Sequence, residues 1–115
     1  MSVIRRNTNV GAGATSANIV AGDIFEFINR PSAVRVFAAQ DSGDLAELTF
    51  KLGNVTLGEN LPLNERTAGE GPSRSDDYLV GGTGMPGDRI SVILRETGGS
   101  VAAITRVMIE INELA

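Results

Sequence analysis

The chain contains no histidine, no cysteine and no tryptophan, and its single tyrosine is Tyr78. Each absence removes a class of function. Without histidine there is no side chain whose ordinary pKa lies near neutrality, so the usual base of nucleophilic catalysis is missing. A serine–lysine pair would have to use Lys51, the one lysine, and the alternation around it puts Lys51 on the solvent face of a strand. Without cysteine there is no disulfide framework and no thiolate metal site. No apolar run approaches the ~20 residues that cross a bilayer as a helix, and no membrane partner is expected. Arg5-Arg6 is the only basic pair and the formal net charge is −4, so the basic face that double-stranded nucleic acid demands is missing.

The carboxylates that remain do not assemble into an obvious site. Asp41, Asp44, Glu59, Glu70, Asp76 and Asp77 fall in turn-like sequence, where acids are solvated or cap the backbone. Asp76-Asp77 and the Asp41 to Asp44 turn could offer oxygen ligands to calcium, but the twelve-residue loop pattern of an EF-hand is absent and plain turn acids are the better reading. Gly11-Ala-Gly-Ala lacks the Gly-Lys-Ser/Thr ending and the strand-then-helix setting of a phosphate loop. Neither an enzyme nor a cofactor or metal is expected.

What the chain does have is a series of short apolar runs divided by glycine. At 115 residues, with 42% apolar and 21% charged residues, it suits a single domain spanning 1–115 with one core. The clearest strand is Glu47 to Leu52, with Leu48, Phe50 and Leu52 on one face. Gly53-Asn54 then suits a two-residue turn, which sets Leu52 opposite Val55 and Phe50 opposite Leu57. Asp23 to Asn29 and Ala33 to Ala39 read as two strands joined at Arg30-Pro31-Ser32. Asp88 to Thr97 and Val101 to Glu113 read as another hairpin around Gly98-Gly99-Ser100. Helical spacing of Val101, Ile104, Met108 and Ile111 competes for the last segment, but its β-branched content favours strand. Gly22-Asp23 and Gly87-Asp88 open these two apolar pairs in the same way. About seven or eight strands with little helix predict an all-β, antiparallel, jelly-roll-like β-sandwich, with a small barrel as the alternative.

Two stretches stand apart. Asn7 to Asn18 is small and polar, so residues 1–18 read as a flexible N-terminal arm; nothing after Met1 to Arg6 has signal-peptide character, and a cytoplasmically made chain is expected. Residues 59–77 are rich in charge, glycine and proline and read as one long loop. Strands apolar on both faces imply that something covers an outer surface: the loop, the arm or another subunit.

In layout the chain resembles small structural proteins of bacteriophage virions, both capsid and capsid-decoration components. The resemblance rests on the Asn7 to Asn18 arm, the strand pair Asp23 to Ala39 around Arg30-Pro31, and Gly81 to Asp88 leading into Ile90 to Leu94. It implies a virion protein that works as a homo-oligomer, touching itself and other virion proteins through arm, loop and strand edges. Arg5, Arg6, Arg66, Arg74 and Tyr78 are the candidate subunit-contact residues, with Arg66 and Arg74 pairing acids of a neighbour. Arginine outnumbers lysine nine to one, a bias protein–protein contacts share. The alternative is a carbohydrate-binding sandwich in which Tyr78 meets a sugar face.

Overall fold

The structure is a computed structural model and describes residues 1–67, 70–74 and 76–114. Eight strands account for the regular structure of these residues: β1 (Ser2–Val10), β2 (Ser32–Asp41), β3 (Ala46–Leu52), β4 (Val55–Pro62), β5 (Asn64–Arg66), β6 (Tyr78–Gly84), β7 (Ile90–Glu96) and β8 (Ala103–Glu113). They form two sheets, as the all-β sandwich expectation requires. The first has the order β1-β8-β2, and the free edge of β2 is shared by β6 along Ser32 to Phe37 and by β5, in parallel, along Ala39 to Asp41. The second has the order β4-β3-β7.

Alternation decides what each strand buries. Leu48, Phe50 and Leu52 of β3 and Ile90, Val92 and Leu94 of β7 face Ile4, Val34, Val36, Val107, Ile109 and Ile111 of the other sheet, and together they make one core. Phe50 is the largest fully buried side chain. Its loss to alanine would cost about 3–5 kcal/mol, a large share of a domain's stability.

The β3–β4 hairpin forms where the sequence places it, with Gly53 at φ 58° in the turn and Leu52 opposite Val55. Phe50, however, faces Gly58 rather than Leu57. Leu57 is an extra residue at a bulge, a second irregularity follows between Gly58 and Leu61, and Asn60 adopts φ 52°. The expected facing of Phe50 and Leu57 is therefore lost, and Val55 and Leu57 are exposed.

Four further expectations are corrected. Residues 1–18 are not a free arm: Ser2–Val10 pairs with β8 in unbroken antiparallel register, because β8 is flanked by β2 on one side and needs a partner on the other. Asp23 to Asn29 is not a strand. Asp23 accepts from the Phe25 amide and Glu26 from the Gly22 amide, and these side-chain bonds hold the backbone in turns. Consequently Ala33 to Ala39 has no hairpin mate there and pairs β8 and β6 instead. β7 and β8 are both strands but belong to different sheets, so Gly98-Gly99-Ser100 is a crossover and not a hairpin turn. The long 59–77 loop is partly strand, through the end of β4 and all of β5; Ala68, Gly69 and Ser75 lie outside the described residues.

Candidate contact surface

A sandwich has four lateral edges, and here they are treated very differently. The edge of β7 is closed by residues 14–28, which imitate a strand without being one. Ser16 N–H and Ile19 N–H donate to the carbonyls of Leu94 and Val92 at 2.7 and 2.9 Å, and Glu96 N–H donates to Ala14 at 2.9 Å. Side chains complete the row. Asn18 Nδ2 donates to the Ile90 carbonyl at 3.0 Å, and its Oδ1 accepts from the Val92 amide at 2.9 Å. Ser16 Oγ accepts from the Leu94 amide at 2.9 Å, and Ile90 N–H reaches the Glu26 carbonyl at 2.8 Å. An unpaired strand edge is a template for aggregation, and this one is fully occupied.

The other protected edges use different means. That of β4 is interrupted by its two irregularities and the left-handed Asn60, which bend a strand away from flat pairing. The opposite edge of the first sheet is split between β6, seven residues, and β5, three residues, so it has no single continuous strand, and Ala38 N–H of β2 donates to the Asp77 carbonyl between them at 3.1 Å. β1 has no such device. Its nine residues run without bulge or proline, and among the described residues its backbone hydrogen-bonds no segment other than β8. Arg5, Asn7 and Asn9 along it are exposed.

Residues 70–74 and 76–77 lie across the outer face of the first sheet and cover it. Gly71 and Pro72 approach Arg106, Val107 and Met108, bordering a cleft of about 270 Å³ that Arg5 and Asn7 also line. Arg74 pairs with the buried carboxylate of Glu110. Phe37 and Met108, which point away from the core, are buried in consequence.

Asp77 anchors this cover. Its side chain is fully buried and accepts from Arg66 Nη2 at 2.8 Å, Asn64 Nδ2 at 3.0 Å and the Ser73 amide at 2.7 Å. Burial pushes its carboxyl up, but the Arg66, Ser73 and Asn64 hydrogen bonds and the Arg66 charge outweigh burial and hold it below the ordinary aspartate value. The hydrogen bond to Asp77, together with the Asp77 charge, raises Arg66 above its ordinary value against the effect of burial. Glu96 is a second buried anchor, held low chiefly by the Gly13 and Gly99 amides at 2.8 and 2.7 Å against the cost of burial, with Gly98 adding to them.

The predicted contact residues separate accordingly. Arg66 and Arg74, expected to pair acids of a neighbour, each pair an acid of their own chain, Asp77 and Glu110. Arg6 ties β1 to residues 14–28, pairing with Asp23 and donating to the Ile19 carbonyl at 3.2 Å. Arg5 is exposed on β1. Tyr78 and Arg74 come together with Arg35 and Phe37 in an open cleft; Tyr78 is 52% exposed and meets the Phe37 ring edge-on at 5.6 Å. Sequence reasoning missed Arg35, whose signal was its place between Val34 and Val36 on an otherwise apolar strand.

No metal reading gains from the geometry. Asp77 is committed to Arg66, Asp41 to Arg106 at 2.6 Å and Asp44 to the Ile104 amide at 2.8 Å, and among the described residues no three candidate ligands cluster. Among the same residues no helix is long and apolar enough to cross a membrane. Comparison with protein-family models, curated proteins and solved structures found no match to this chain.

Proposed function

We propose that this protein is a structural subunit that acts by repeated contact with copies of itself, in the manner of a virion coat or decoration component. The observation that carries the reading is the unequal treatment of strand edges. Three are closed, divided or bent, while β1 is left long, regular and open. Open edges of this kind either cause aggregation or are reserved for pairing with another chain. A subunit that repeats one modest contact around a closed symmetric assembly needs no single strong interface. Light scattering of the purified protein across a concentration series tests the reading. Growth into discrete larger species is the expected result, and a monomer at every concentration would refute it.

The cleft of Arg35, Phe37, Arg74 and Tyr78 favours a second reading, a module that binds an acidic sugar. An exposed tyrosine ring supplies an apolar platform, and the exposed Arg35 guanidinium supplies carboxylate recognition beside Arg74, which is paired with Glu110. Titration with uronic-acid oligosaccharides, followed by amide shifts in residues 35–37 and 78, distinguishes this module from the subunit.

A further inference from the structure

The geometry points to a specific partner for β1: the β1 strand of a second copy, paired antiparallel about a two-fold axis through Asn7. The inference rests on the self-assembly reading above and adds its contact and register.

A two-fold normal to the sheet keeps both copies facing the same way, so residues opposite each other must share a face, and the register is centred on a residue. Few centres are then available. Centring on Arg6 overlaps all nine residues but sets Arg6 against Arg6, and centring on Arg5 sets Arg5 against its own copy. Like charges directly opposite disfavour a pair. Centring on Asn7 sets Arg5 opposite Asn9, Arg6 opposite Thr8, and Ile4 opposite Val10. Every arginine then faces a neutral polar residue that can accept a hydrogen bond. Ile4 and Val10, both buried on the core side, continue the apolar layer from one copy into the next. The overlap runs from Ile4 to Val10. Centring on Thr8 or beyond shortens it.

The surrounding structure permits the approach. Asn7 and Asn9 are exposed, residues 14–28 hydrogen-bond along β7 in the other sheet, and Arg6 is drawn aside by Asp23. Seven residues span about 23 Å at ~3.3 Å each. An edge contact of that length falls below the roughly 1,200 Å² of a stable complex, so the pair alone is weak; because a two-fold contact closes at two copies, it supplies the dimer from which a larger assembly builds through a second contact.

The absence of cysteine makes the register directly testable. Opposed residues of an antiparallel pair have Cα atoms about 4.5–5.5 Å apart, within the span a disulfide bridges. Under mild oxidation Asn7→Cys should therefore give a covalent dimer, whereas Thr56→Cys on the irregular β4 should stay monomeric. Asn7→Asp, at an exposed position that leaves the fold intact, places two carboxylates face to face and should weaken self-association roughly fivefold or more. If the protein associates but Asn7→Cys does not cross-link and Asn7→Asp associates like the parent, this contact is wrong while self-assembly stands. If the parent remains monomeric and Asn7→Cys does not cross-link, both fail.

Discussion

Asn18 lets the edge-closure argument be tested residue by residue. Its carboxamide joins three backbone groups: the Ile90 carbonyl, the Val92 amide and the Val20 amide, at 3.0, 2.9 and 3.2 Å. Asn18→Ala leaves all three without that partner. An abandoned buried donor or acceptor costs about 1–3 kcal/mol, and this site is only half-buried, so water recovers part of the loss. Taking roughly 1 kcal/mol for each β7 group and less for Val20 gives a destabilisation of about 2–3 kcal/mol. Against a typical total of roughly 5–15 kcal/mol, that is readily measured by urea unfolding. Asn18→Asp keeps the acceptor for Val92 and Val20 but sets a carboxylate oxygen against the Ile90 carbonyl, so it should recover less than half of the loss at neutral pH. Hydrogen exchange supplies the local readout, because the Val92 amide should lose protection in Asn18→Ala well before the β3 amides do. An alanine variant within about 0.5 kcal/mol of the parent, the size of an ordinary surface substitution, with Val92 still protected, would refute the claim that residues 14–28 close this edge through side chains.

Other consequences follow from the cover over the first sheet. Asp77 is held below its unfolded value, so its contribution is fully present above that value and is lost as pH falls through the lower folded value. Asp77→Asn should therefore cost stability at neutral pH and flatten the loss that the parent shows below about pH 4, checked by denaturant midpoints across an acid series. Gly81 has no room for a methyl group, since a Cβ there would sit 2.7 Å from the Val34 carbonyl and 2.8 Å from the Tyr78 hydroxyl. Gly81→Ala should destabilise the protein by about 1–3 kcal/mol and displace Tyr78, seen as a changed tyrosine fluorescence; an unperturbed variant would mean that β6 and Tyr78 are not so closely set.

The sequence disclosed what is local and hid what is not. The β3–β4 hairpin was readable because alternation and a Gly-Asn corner lie within a few residues, and only the Leu57 bulge escaped. β7 and β8 were readable as strands, but their partners were not. Nothing near Gly98-Gly99 says that β8 must lie between β1 and β2, because that order is set by pairing with residues far away in the chain. Ser2–Val10 reads as an arm because its asparagines and threonine are polar, yet an edge strand with one solvated side requires few apolar residues, here chiefly Ile4 and Val10. Asp23 to Asn29 misleads in the opposite sense: its composition favours β structure while Asp23 and Glu26 cap local amides. Among the candidate contact residues, an unpaired arginine and a paired one look alike in sequence. Asp77 and Glu110, remote from Arg66 and Arg74 in the chain or beyond a loop, make the difference.

The most direct test of the account is amide hydrogen exchange along β1 at low and high protein concentration. Pairing with a second copy predicts that alternate amides between Ile4 and Val10, those pointing away from β8, gain protection as concentration rises, while β4 amides do not change. Exchange along β1 that is independent of concentration, or new protection appearing on β4 instead, would contradict it.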